Sequence, residues 1–188
     1  HPIALIFGLL SFVSYLVEGA VGDWSALYLF EDKGIVIEEA VMGVMLFNGT
    51  MCIGRLLGNR LGKHLTSKQV VVGGYLLGSI AMGLIVFLPG HASMYTYLLL
   101  GISLAMIVPN LFSAMGEQNV IPMTQAVATS TMLGYMGILM GPALIGFIAH
   151  GTSLTVAFIV LTTLLVVSAG IGKYAYHLMS KDCGLSEE

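Results

Sequence analysis

Five polar side chains interrupt sequence that is otherwise almost wholly apolar: Glu18, Asp23, Asn48, Asn110 and Tyr135. Removal from water favours the neutral form of a carboxyl. Glu18 therefore has the chemistry to take up and release a proton near neutral pH, or to contact a polar solute. The plainer alternative is a structural carboxylate paired with a backbone or tyrosine group. No basic residue is expected at its depth. Asp23 lies nearer the end of the same stretch, beside Trp24, where a gate or an interfacial anchor suits it better than a binding role. Asn48, Asn110 and Tyr135 can offer hydrogen bonds to a polar solute. A lone side chain of this kind more often bonds a neighbouring helix, for about 1 kcal/mol. A hydrolase would need a different pair, a serine and a histidine from separate helices. Ser103 and His150 are the candidates. Ser103 is expected about 13 Å deep, from a rise of roughly 1.5 Å per residue, and His150 at the outer rim. The two are not expected within hydrogen-bond reach.

Composition says what must position these residues. The chain has 188 residues, 57% hydrophobic and only 9% charged, and its mean hydropathy is +0.94. Soluble domains carry roughly 25% charged residues. So few charges cannot cover a soluble surface, and the bilayer must be part of the solvent. The net charge of -3 and the seven Lys and Arg leave no basic patch for nucleic acid. Cys52 and Cys183 form no CxxC pair and are expected as free thiols. No nucleotide-binding motif is present, so primary pumping is not encoded, and neither a cofactor nor a metal site is expected. The chain opens on His1 and an apolar run continuing to Phe30. That run is too long for a signal-peptide core, and the chain is expected to be part of a longer polypeptide.

Spanning the hydrocarbon takes about 20 apolar residues. Six such segments are predicted as helices, over Ile3 to Phe30, Ala40 to Gly62, Gln69 to Leu88, Met94 to Met115, Ala126 to His150 and Leu154 to Tyr176, followed by a cytoplasmic tail over 177–188. Pro89-Gly90, Pro122 and Gly151 punctuate the connections. Continuous apolar runs do not fit the alternating ten-residue strands of a membrane barrel. Positive charge favours the cytoplasmic side. With both termini inside, that side receives Arg55, Arg60, Lys63, Lys68, Lys173 and Lys181, and the outer side only Lys33 beside Glu31, Asp32, Glu38 and Glu39. Trp24, Tyr28 and Tyr95 would form the outer aromatic belt, and Tyr174 and Tyr176 the inner one.

Polar residues fall in the first, second, fourth and fifth spans, and the third and sixth are bland. Intramembrane polar groups usually face a bundle interior or a wet path. Two polar spans and one bland one, twice over, predict two three-helix repeats, inverted because three is odd. Small residues at four-residue spacing let helix backbones approach closely. Gly54, Gly58 and Gly62, Gly74 and Gly78, and Gly137 and Gly141 have that spacing.

The loop after the second span reads Gly54-Arg55-Leu56-Leu57-Gly58-Asn59-Arg60-Leu61-Gly62-Lys63-His64. It resembles the second copy of the major facilitator superfamily loop signature, whose core is Asp-Arg-x-Gly-Arg. Asn59-Arg60-Leu61-Gly62-Lys63 match that core, with Asn59 in place of the acid. Glu18-Gly-Ala-Val-Gly-Asp23-Trp24, Val108-Pro109-Asn110, Gly134-Tyr135-Met136-Gly137 and Gly141-Pro142-Ala143 also look like the C-terminal half of bacterial members, with the sugar-permease-like branch as the nearest in character. The resemblance implies an all-α six-helix half of a twelve-helix fold, completed by an N-terminal six-helix half. It implies alternating access to a small-molecule substrate, with these as the seventh to twelfth helices. The site carried by the residues above would be a pathway of Glu18, Asp23, Asn48, Asn110 and Tyr135 with a cytoplasmic loop motif at Gly58, Asn59, Arg60, Gly62 and Lys63. The multi-pass protein would sit in a bacterial inner membrane. A channel or a structural subunit is the rival, although neither a re-entrant filter nor a ring of like charges is visible.

Overall fold

In hydrocarbon every backbone N–H and C=O must bond within its own segment, so uncharged runs of this length form helices. The computed structural model describes residues 2–61, 65–117 and 122–182. Seven helices follow one another: α1 (Pro2–Glu31), α2 (Ile37–Leu61), α3 (Ser67–Phe87), α4 (Gly90–Ala105), α5 (Ile107–Glu117), α6 (Met123–Gly151) and α7 (Leu154–Asp182). Six stretches are long and apolar enough to cross a membrane, with α4 and α5 forming one of them. The first and last described residues lie at the same end of the bundle, here the terminal end. The α1–α2, α3–α4 and α6–α7 connections lie at the far end.

The fourth span is where the predicted helix and the structure differ most. It breaks at Met106, whose backbone sits at φ -102 and ψ -4. Pro109 has no N–H for the carbonyl one turn earlier and its ring crowds that turn. The carbonyl that Pro109 leaves without a donor is that of Ala105, and the helix resumes at Asn110, whose backbone N–H and side-chain amide both donate to the Met106 carbonyl, at 3.2 and 2.8 Å. The seventh helix continues to Asp182, so residues 177–182 extend the helix rather than begin a tail. At the start of α3, Thr66 and Gln69 bond each other's backbone in a capping box. Gly34 and Gly90 turn the chain at the far end with φ of +69 and +46.

Packing is pairwise. α1 lies chiefly against α6, α3 against α7, and α2 against α4, while α1 also meets α2, α4, α5 and α7. Within an apolar 18-residue stretch of each span, 56% of the residues are buried in α1 and in α4–α5, against 28% in α2 and 22% in α6. The first two are therefore central, and α2 and α6 flank them. Glycines decide the closeness of these seams. A Cβ on Gly54 would stand 2.6 Å from the Ala105 side chain, and one on Gly74 2.8 Å from the Ser103 carbonyl. Gly58 lies against Met106, Gly137 against the Phe12 carbonyl and Gly141 against the Leu16 carbonyl. Gly62 lies outside the described residues.

Two of the expected belt tyrosines are core residues instead. Tyr28 is fully buried and stacked on Phe158 at 4.2 Å. Tyr176 is buried edge-on against Phe7. Apolar neighbours on α7 and α1 give these rings more buried area than an interface would. Tyr95 and Tyr174 remain exposed.

Candidate functional site

α1 presents one open stripe, on which Tyr15, Glu18, Gly19, Gly22 and Asp23 are at least partly exposed. Just behind it, Ser14 ties the helix to α3. The Tyr75 hydroxyl donates to the Leu10 carbonyl at 2.7 Å, so the 2.8 Å contact between Ser14 and Tyr75 takes its proton from Ser14. Glu18 stands one turn beyond this tie.

Glu18 is not alone at its depth, contrary to expectation. The Arg55 Nη2 donates to both of its carboxylate oxygens, at 3.1 and 3.2 Å. The Glu18 side chain is 11% exposed and that of Arg55 43%. Arg55 belongs to the last two turns of α2, about 9 Å along the axis from Leu61 at 1.5 Å per residue. It was expected on the cytoplasmic side with the loop cations. A long side chain reaches back from near a helix end, and here it has a carboxylate to reach.

Beside this pair Tyr15 and Tyr135 lie parallel, with ring planes 5° apart and centroids 6.4 Å apart. Gly134 makes room for the Tyr15 ring, since a Cβ there would stand 2.6 Å from it. Tyr135 is exposed on α6. Glu18, Arg55, Tyr15 and Tyr135 thus gather on one side of the bundle, contributed by α1, α2 and α6. Asn48 is exposed on the same α2 face, seven residues before Arg55, and donates only to the Val44 carbonyl of its own helix at 3.0 Å.

Asn110 and Asp23 are not brought into the cluster. Asn110 is occupied by the helix break. Asp23 is exposed and has no hydrogen-bond or ion-pair partner among the described residues. Its neighbour Trp24 donates to the Pro142 carbonyl at 2.9 Å. A cavity of about 470 Å³ opens at the far end between Trp24, Asp32, His150 and Leu154, and none of the five expected pathway residues lines it. Of the loop motif, Gly58 is described. The side chains of Asn59 and Arg60, with Gly62 and Lys63, lie outside the described residues.

The serine–histidine pair does not form. Ser103 is buried and donates to the Leu100 carbonyl. His150 is exposed on α6, and α4 and α6 share no packing seam among the described residues.

The chain is similar to an uncharacterised MFS-type transporter of Yersinia pestis, with 41% identity over 168 residues, 88% of this chain and 43% of that protein. The chain belongs to the major facilitator superfamily. Membrane protein MosC of Rhizobium meliloti is 30% identical over 89% of this chain and 42% of its own length. An uncharacterised transporter of Sinorhizobium fredii is 28% identical over 82% of this chain and 41% of its own. No protein-family profile matches the chain. The chain spans less than half the length of these relatives, and its six apolar helices fit a half of the major facilitator fold. It is an integral, multi-pass membrane protein.

Two residues of the site differ in how visible they are in the sequence. Tyr15 resembles any other aromatic in an apolar helix until Gly134 is seen to seat it. Arg55 had a readable sign: Asn48, Cys52 and Arg55 recur at i, i+4 and i+7, which is one face of a helix.

Proposed function

We propose that this chain is the C-terminal half of a secondary active transporter that moves a small polar solute by alternating access, with Glu18 carrying the coupled proton. The observation that supports this most is the Glu18–Arg55 pair on the open side of a six-helix half. An ion pair inside the hydrocarbon is costly and usually marks a substrate or proton path. On this reading the N-terminal six-helix half completes a cavity on the side that carries the pair. Protonating Glu18 removes one charge of the pair and frees Arg55. A proton and a change in the strength of the α1–α2 contact are thereby linked at one point. Alternating access needs such a link between loading and movement. The membrane is read as a bacterial inner membrane, with both termini cytoplasmic from the Lys and Arg bias.

The test uses the full-length protein. Cells expressing it should accumulate a member of a panel of labelled polar solutes, and a protonophore should collapse the accumulation. Glu18→Gln should lose uphill accumulation and retain counterflow. The reading fails if no solute is accumulated, or if accumulation ignores the protonophore. The six-helix chain reconstituted by itself should move nothing, and saturable flux through it would remove the need for a partner half.

A further inference from the structure

We propose that Arg55 is an anion-recognition residue, so that the solute is a small organic acid whose carboxylate binds the guanidinium edge left unused by Glu18. This rests on the transporter reading above and names its substrate class.

A guanidinium has five N–H donors in a planar fork that matches a carboxylate edge to edge. Glu18 does not use that fork. Both of its oxygens bond the same nitrogen, Nη2. The Nε and Nη1 donors of Arg55 have no partner among the described residues. Exposure points the same way, because the carboxylate is the covered member of the pair and the guanidinium the open one. A structural pair gains most when both ions are enclosed and fully bonded. This one leaves three N–H donors without a partner among the described residues, on a side chain that is 43% exposed. Charged donors of that kind are met well by a bidentate anion and poorly by a neutral hydroxyl.

No other cation stands beside the pair among the described residues. Among the described residues, Arg55 is the only charged group acting on Glu18. The remaining titratable neighbours are Tyr15 on its own helix, Tyr75 from α3 and Tyr135 from α6 beside Tyr15. With Glu18 ionised, the pair is already neutral, and a second carboxylate would bring two like charges together around one guanidinium. With Glu18 protonated, Arg55 carries an unmatched positive charge. Anion and proton therefore favour each other's binding at this site.

Matched pairs of solutes test the idea on purified full-length protein: glucuronate against glucose, lactate against glycerol, and benzoate against benzyl alcohol. At least one acid should raise the melting temperature while its neutral counterpart does not. Its affinity should fall as pH rises. Arg55→Gln should weaken that acid about tenfold or more, and Arg55→Lys, which keeps the charge and loses the fork, should lie between. Glu18→Gln should bind the acid as well as or better than the parent and lose the pH dependence. The double variant Glu18→Gln with Arg55→Gln, which removes both charges, should fold and bind no acid. Neutral solutes that bind as well as the acids would overturn the proposal. So would an Arg55→Gln protein with unchanged affinity, or a panel in which no acid binds. Protonophore-sensitive accumulation of a neutral solute would keep the transporter reading and reject the anion. An acid that binds through Arg55 but is never accumulated would do the reverse.

Discussion

On one flank α1 meets α6 backbone to backbone, and on the other it meets α2 through side chains. The α6 seam is built on Gly137 and Gly141, which lie directly on the Phe12 and Leu16 carbonyls, and on Gly19, where a Cβ would stand 2.7 Å from the Ile138 carbonyl. Pro142 leaves that Ile138 carbonyl without its usual partner one turn ahead, and the bare Gly19 covers it. The α2 seam, by contrast, is joined at the Glu18–Arg55 pair. Backbone contact offers no alternative arrangement short of separation. A side-chain ion pair can be switched by one proton. The difference predicts that α1 and α6 move as a unit and that α2 is the neighbour whose contact changes.

The largest effect should come from filling the closed seam. Gly137→Leu would place a side chain where the Phe12 backbone already is. Overpacking of this kind costs about 3 kcal/mol or more when the obstacle is backbone rather than a flexible side chain. The protein should lose its monodisperse peak in detergent gel filtration. Gly170→Leu is the control, because a Cβ on that exposed α7 glycine meets nothing within 4 Å. Its stability should change by no more than about 0.5 kcal/mol. Equal behaviour of the two variants would mean that the α1–α6 seam is not closed in the way described.

A smaller effect should come from cutting the open seam. Arg55→Gln and Glu18→Gln each leave one ion without its counter-charge. Fully buried pairs cost about 3–5 kcal/mol to break from one side, and exposed pairs about 0–1 kcal/mol. This pair is half open, so a loss of about 1–2 kcal/mol is expected from each single change. The double variant should recover part of it. A thermal-melting double-mutant cycle reads the coupling directly. Additive losses would mean that the two side chains do not interact in the folded protein, and the contrast between the flanks would lose its second half.

Much of this contrast was readable from residue types, and the unreadable part has a physical cause. The glycine spacings named the close seams, because only backbone approach requires four-residue small-residue repeats. Glu18 stood out because a carboxyl in an apolar run is costly. The contact of Arg55 with Glu18 was not expected, because positive residues near a span end obey the topology rule whether or not they also reach inward. Sequence spacing gives the depth of a Cα, and the head of a long arginine side chain can differ from it by about a whole turn. The break at Met106 was hidden for a related reason. A proline disturbs the turn before it, so Pro109 breaks the helix at Met106 and not at its own position. Asn110 was a candidate for solute contact, and its side-chain amide donates within its own helix beside that break. Tyr28 and Tyr176 were assigned to interfaces by type, but core packing claims a tyrosine whenever an apolar neighbour such as Phe158 or Phe7 is in reach.

The smallest effect on stability, and the sharpest test of what the open side is for, should come from Asn48. Its side chain donates to Val44 one turn back on its own helix, a bond that joins no two elements. Asn48→Ala removes it and replaces a middling helix former with the best one. The two changes oppose each other, so stability should stay within about 0.5 kcal/mol of the parent. Arg55 lies seven residues further along the same exposed face, about 10 Å away at 1.5 Å per residue. If solute extends from Arg55 along α2, the amide is a second point of contact. Its loss should raise the half-saturation concentration of the full-length protein several-fold at unchanged maximal rate. That pattern marks a contact made equally in the ground state and the transition state. An unchanged half-saturation concentration would confine the site to the Glu18–Arg55 end of α2. A fall in melting temperature as large as that of Arg55→Gln would instead show that the open face of α2 is held by more than one ion pair.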